Sequence, residues 1–280
     1  MAKTPKTAKA VPANRGVEAR YKRELQALIA EMANSCEYWL TIAYKANPPE
    51  MAELVEQAQD AQPGEYSKKQ QEFRSVRGPV AKVRRVLKDL NVRWIDKFNE
   101  MADRIAERWI KSMYTASQAS LVASLKEAGM AVEFKMTPAM RDALNASITE
   151  NINLIKSIPE QYLKNVEGAV MRSYSVGRDL ETMVKDIRDI HPVTKRRAEL
   201  IARDQSNKAN AVIQRTRQLE LGVTEAIWMH SHAGKNPRPD HVAANGKRYK
   251  IAEGCKIGGE YIYPGEEINC RCTSRPILPI

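Results

Sequence analysis

The chain has 280 residues, enough for one large or two ordinary domains, with 45 lysines and arginines against 34 acids and a formal charge of +11. Charged residues make up 28% and aromatics 6%, a balance that argues against a chain built only of compact core and suits an extended helical protein facing something acidic. No apolar run reaches membrane-spanning length, no hydrophobic segment follows the N-terminal lysines as a secretory signal requires, and four cysteines do not make a disulfide scaffold at this size, so a reducing compartment is expected.

Residues 1–16 read as a basic disordered arm, with Lys3, Lys6 and Lys9 among Ala, Thr and Pro and no acid before Glu18. Residues 17–135 read as a helical region. Its first helix is predicted over 17–45 from the spacing of Leu25, Leu28, Ile29, Met32, Cys36, Trp39 and Leu40, which makes Cys36 a buried free thiol. Asn47-Pro48-Pro49 stops it, and a short helix over 50–59 and a turn at Gln62-Pro63-Gly64 follow. Pro79 opens the longest helix. Its apolar residues run in near-heptad steps through Val83, Leu87, Leu90, Trp94, Phe98, Ile105 and Trp109 toward Leu121 and Leu125, and Gly129 closes it. Arg84, Arg85, Lys88, Arg93 and Arg104 alternate there with Asp89, Asp96, Glu100 and Asp103. That mixture reads as an ion-paired solvated face rather than a DNA-binding stripe, and the apolar seam suits packing on other helices or self-association with a second copy.

Thr137-Pro138 caps a helix carrying Met140, Leu144, Ile148, Ile152 and Ile155, with a break predicted at Ser157-Ile158-Pro159. A further helix with Tyr162, Val166 and Val170 is capped by Gly177. Asp179 opens a short one ended by His191-Pro192, which puts His191 at a helix terminus as a dipole-complementing surface residue. Thr194 caps a last long helix over 195–221, stopped by Gly222. No repeat of solenoid length is visible.

Beyond residue 223 the period changes. Glu225 to His230 alternates like a strand, Pro237-Arg238-Pro239-Asp240-His241 is a rigid turn, and Asn245-Gly246 is a hairpin signal returning into Lys247-Arg248-Tyr249. Tyr261-Ile262-Tyr263 is another short strand and Pro264-Gly265 another turn. The expected fold is therefore mostly α with a small α+β C-terminal domain, long helices in the N-terminal half and short strands and turns after residue 223.

Three of the four histidines and three of the four cysteines fall within 228–275. His241, Cys255, Cys270 and Cys272 supply four soft ligands, the number a tetrahedral structural zinc needs, and a turn-rich domain gains folding energy from such an ion. Cys-x-Cys is shorter than the two-residue spacing of common zinc sites, so plain reduced thiols, or a Cys255 disulfide with one of the others, stay open. His230 and His232 share a strand face and read as solvated polar residues.

The order of Ala202-Arg203-Asp204, Gly222-Val223, Trp228, Arg238 and His241, Asn245-Gly246, Pro264-Gly265, Asn269-Cys270-Arg271-Cys272 and Pro276 resembles the Mu F-like minor head proteins of tailed bacteriophages. The family usually has a glutamate after an Arg-Thr pair, where this chain has Ala202-Arg203-Asp204-Gln205, and the loop from His230 to Pro237 carries an extra histidine pair. The resemblance implies a Mu F-like domain over 136–280, with helices at 138–221 and a strand-and-turn knot at 223–280. It also implies a non-enzymatic virion protein, made in the bacterial host cytoplasm and present in few copies inside the capsid. Its roles would be head morphogenesis and the handling and ejection of packaged DNA. The helical region 17–135 would meet the portal protein or the major capsid protein, double-stranded DNA would meet the basic charge, and no membrane contact is expected. Two other classes stay open. Asp240-His241 followed by Asn245-Gly246 resembles the His-Asn-His nucleases, with His241 as general base beside a divalent metal, although the second metal-binding histidine and the Cys-x-x-Cys pairs of that family are absent. The other is a zinc-stabilised nucleic-acid-binding protein with basic helices.

Overall fold

A computed structural model describes residues 6–49, 78–234 and 236–279. The helix expected over 50–59 and the turn at 62–64 lie outside them. Four long helices come first: α1 (Arg15–Ala46), α2 (Pro79–Glu127), α3 (Pro138–Ser175) and α4 (Leu180–Glu220). Short elements follow: β1 (Glu225–Met229), α5 (Pro239–Ala243), β2 (Arg248–Lys250), β3 (Cys255–Ile257), β4 (Glu260–Ile262) and β5 (Thr273–Pro276).

The helices form where apolar stripes and caps agree. Asn14 Oδ1 accepts the N–H groups of Gly16 and Val17 at 2.9 and 3.1 Å, which starts α1 ahead of the expected residue. Thr137 Oγ1 accepts the Met140 N–H at the head of α3, and Asp179 accepts from Thr182 at the head of α4. On α2 the stripe is buried from Val83 through Leu125 while the arginines and acids between face solvent. Lys97 pairs with Glu31 at 2.5 Å and Arg108 with Glu24 at 3.0 Å.

Two expected helix breaks do not occur. Pro159 lies inside α3 and Pro192 inside α4. A helix-interior proline forfeits one backbone hydrogen bond and costs about 3 kcal/mol. Ile155, Ile158, Tyr162, Leu163 and Val166 are buried on both sides of Pro159, and Ile187, Thr194 and Ala198 on both sides of Pro192. Each full side chain removed from water contributes about 1.5–3 kcal/mol, so an uninterrupted stripe outweighs the lost bond. His191 is consequently a mid-helix, half-buried residue and not a terminal one.

The chain divides into two compact units. One comprises Met1–Glu24, Ala102–Leu154 and Glu199–Ile280, and the other Leu25–Met101 and Ile155–Ala198. In the first unit, the described part of the N-terminal arm is packed, contrary to the disordered reading. Ala8 and Val11 are buried, Ala8 N–H donates to Pro276 O at 3.2 Å, Leu278 N–H donates to Lys6 O at 2.8 Å, and Thr7 bridges to Ile277. Backbone pairing at the edge after β5 and a small apolar pair give this basic segment a seat that its composition does not announce.

The strands of the first unit form two antiparallel sheets, one ordered β2-β1-β5 and one β3-β4. Ala226 and Trp228 alternate inward on β1 and join Val223, Tyr249, Ile251, Ile257 and Leu278 in one core. β1 pairs with β2 as expected, but the two are joined through α5 rather than by a tight hairpin. Asn245-Gly246 instead clamps the end of β1: Gly246 N–H donates to Trp228 O and Asn245 Oδ1 accepts the His230 N–H. The two-residue hairpin of this domain is Gly258-Gly259 between β3 and β4, both at positive φ.

Candidate metal centre

Pro239, with its φ preset for a first helical turn, begins α5. One turn carries His241 inward to 3% exposure. Its ring meets Trp228 edge to face, with centroids 5.2 Å apart and planes at 87°. The segment before β5 brings the thiols. Asn269 adopts φ 62, its N–H donates to Asp204 Oδ1 at 2.7 Å, and its side-chain oxygen accepts from Arg203 Nη2 at 2.8 Å. Those two bonds to α4 fix where Cys270 and Cys272 emerge. Gly265 belongs to the same construction: it sits at φ 86, a Cβ there would meet Ala211 Cβ at 2.9 Å, and its N–H donates to Cys270 Sγ at 3.4 Å.

The outcome is a compact cluster of His241, Cys270 and Cys272, all buried, their ligand atoms within 4.8 Å of one another. His241 Nδ1 stands 3.5 Å from Cys270 Sγ and 3.7 Å from Cys272 Sγ. For metal–sulfur and metal–nitrogen bonds of about 2.3 and 2.0 Å at tetrahedral angles, the N···S separation is about 3.6 Å. The spacing therefore suits one tetrahedral ion seated among the three. Cys255, the fourth ligand expected from the sequence, is outside the group; it is buried on β3.

The opposite ring nitrogen finds Glu267, which sequence reasoning passed over. Nε2 lies 2.7 Å from Glu267 Oε2, at hydrogen-bond distance but off the line of the N–H bond, and both atoms are buried without an aligned partner. Arg238 Nη1 stands 3.4 Å from the same oxygen. The carboxylate stands on the Nε2 side and the thiols on the Nδ1 side, the placement usual around a metal-bound histidine. Only its position three residues before Cys270, on the turn whose Glu267 O accepts the Cys270 N–H, hinted at it.

Electrostatically, the cluster favours a thiolate. The Cys272 thiol donating to Cys270 holds the latter below the usual thiol range, and the Cys272 and Gly265 N–H groups act the same way, against burial. Cys272 is pushed up, first by its partner and then by burial. Burial pushes Cys255 up too, and raises Cys36 to about 12, as befits inert core thiols. His230 and His232 are ring neighbours outside the cluster, His232 at φ 49 and its N–H donating to His230 Nδ1. A cavity of about 700 Å³ reaches the three candidate ligands and is also lined by His230, Arg203, Arg238 and Arg271.

Residues 164–275 match the family described as Phage Mu protein F like protein. A Haemophilus influenzae protein described as uncharacterized is 31% identical over 180 residues, which is 63% of this chain and 39% of that relative. The chain thus spans about two fifths of the relative's length. No solved structure matches.

Proposed function

From the premise that the C-terminal part of this chain, residues 164–275, is a Mu F-like domain, we propose that the protein is a non-enzymatic minor head protein of a tailed bacteriophage. It is made in the host cytoplasm, carried in few copies inside the capsid, and acts in head morphogenesis and in handling and ejecting the packaged genome. The family match carries this reading. The formal charge of +11 supports a place against packaged double-stranded DNA, where each neutralised phosphate releases counterions. Portal or major capsid protein is the partner proposed for the helices preceding the Mu F-like domain. Among the described residues no helix is long and apolar enough to cross a membrane.

Within this function the metal is zinc and its role is to hold the fold. His241 Nδ1 and the thiolates of Cys270 and Cys272 tie α5 to the segment that leads into β5. His241 Nδ1 faces the two thiols, and Glu267 Oε2 stands 2.7 Å from Nε2 without an aligned hydrogen bond. This supports a structural histidine over a general base.

Co-expression with the portal and major capsid genes of the same phage tests the assignment. The protein should co-purify with portal rings or assembled heads and remain there after DNase treatment; recovery only as free protein would overturn the head reading. Metal analysis tests the second part. About one zinc per chain is expected, lost in Cys270→Ser and Cys272→Ser and kept in Cys255→Ser, while loss in Cys255→Ser would restore the four-ligand set.

A further inference from the structure

We propose that the zinc of this domain keeps one coordination position for an exogenous ligand, and that the ligand is a phosphate-type oxyanion. The inference rests on the zinc reading above and names what the site takes.

Among the described residues, the grouped ligand atoms number three, one from each of His241, Cys270 and Cys272. Closed structural zinc has four protein ligands, whereas three leave a position for water or a ligand. Glu267 does not fill it. Its carboxylate stands on Nε2, the ring nitrogen facing away from the thiols, and it is outside the ligand group. The same three residues line the wall of the cavity, which gives an incoming ligand access to the cluster.

The rest of that wall selects the charge of the occupant. Two thiolates neutralise a divalent zinc, while Arg203, Arg238 and Arg271 add three positive charges, and among the described residues lining the cavity there is no carboxylate. Arg238 is partly compensated by Glu267 at 3.4 Å. Arg203 spends one nitrogen on Asn269, and its Nε is buried without a partner. A buried guanidinium nitrogen left unpaired is costly, and planar guanidinium groups match tetrahedral oxyanions through paired hydrogen bonds. Ser231 and Asn236 at the exposed rim add hydrogen-bonding groups. A phosphate oxygen on the metal with its other oxygens toward the arginines satisfies both demands. That phosphate is either the free ion or a group of a nucleic acid.

Cobalt(II) substituted for zinc in the full chain provides the probe, because its visible spectrum reports both thiolate ligation and the occupant of the fourth position. The substituted protein should show thiolate-to-cobalt charge transfer that Cys270→Ser weakens. Titration with inorganic phosphate should then change the ligand-field bands saturably. In Arg271→Gln, a residue off the ligand set, the charge-transfer band should persist while the apparent phosphate affinity falls about tenfold, the loss expected for one charged hydrogen bond. A parallel titration with a short 5′-phosphorylated single-stranded oligonucleotide separates the sources: saturation at lower concentration than with inorganic phosphate assigns a nucleic-acid phosphate, and the reverse assigns the free ion. A charge-transfer spectrum that neither titrant alters overturns the inference while leaving the zinc reading standing. Absence of that spectrum overturns both. Neither result bears on portal association.

Discussion

The two compact units bury different things. Leu25–Met101 with Ile155–Ala198 fills its interior with Leu25, Ile29, Leu40, Val83, Phe98, Tyr162 and Met183, and its buried polar residues among those described are Ser173 and Thr194. Each of these donates one turn back along its own helix, to Ala169 O and Ile190 O. The unit containing Glu199–Ile280 buries Ser117, Ser206, Asn210, Gln214, Arg217 and Gln218 along with its apolar residues, and most of their polar atoms bond across elements, Arg217 Nε being an exception. Ser117 donates to Asn210 Oδ1 at 2.6 Å, Gln214 Nε2 donates to Ser117 Oγ at 2.8 Å, Asn210 Nδ2 donates to Val11 O at 2.8 Å, and Trp109 Nε1 donates to Ser206 Oγ at 3.2 Å. An apolar core tolerates volume-conserving swaps at modest cost, but a network of paired donors and acceptors does not tolerate the loss of a member. One unit is held mainly by volume, the other by matched hydrogen bonds.

The largest test of that contrast is Arg217→Ala. Its guanidinium donates to Lys135 O, Glu220, Tyr114 and Gln118 at 2.6–2.9 Å, from full burial. Removing a buried, hydrogen-bonded charge costs about 3–5 kcal/mol, to be read by urea denaturation with hydrogen exchange locating the loss. Leu40→Ala in the apolar unit should cost about 2–4 kcal/mol, but Leu40→Met should be nearly neutral, as a core that depends on volume allows. Ser117→Ala should cost about 1–3 kcal/mol, out of proportion to the single oxygen removed, since Asn210 and Gln214 lose a shared partner. A cost below 0.5 kcal/mol there would erase the distinction between the units. Pro159→Ala should raise stability by about 1 kcal/mol, the restored helix bond being partly offset by a more flexible unfolded chain. The smallest effect concerns Asp179, whose carboxyl the Thr182 N–H and hydroxyl hold below its ordinary value. The sign follows: its contribution is present above the unfolded pKa and fades as pH falls through the folded one. Asp179→Asn should keep the cap and flatten that acid limb in a pH series of melting curves.

The same contrast explains what could be read in advance. Stripes such as Leu25 to Leu40 and Val83 to Trp109 declare helices because burial repeats with the helical period, and Thr137 and Asp179 mark starts through local chemistry. Pro159 and Pro192 misled because a local penalty was weighed without the tertiary burial on both sides. β3 and β5 were missed because three or four residues carry too little pattern, and the Gly258-Gly259 turn between β3 and β4 went unread with them. At the candidate site, His241, Cys270 and Cys272 were visible as residue types, and the structure brings them together. Cys255 drew attention for the same reason and lies outside that group, buried on β3. Glu267, supplied by a turn, was hidden because nothing local distinguishes a carboxylate that meets an imidazole from one that meets water.

The pairing of Leu278 with Lys6 and of Pro276 with Ala8 has a consequence for synthesis. The all-volume unit has its whole chain once residue 198 has left the ribosome, whereas the other cannot close until residues 273–278 appear. At about 5–20 residues per second, the intervening stretch of about 80 residues takes roughly 4–16 s to translate. Through that interval Ala8, Val11, Leu121 and Leu125 have been made but lack their sheet. A nascent chain stalled in that window would present them to chaperones, and a truncation before residue 273 would free the opening segment along with the closing one.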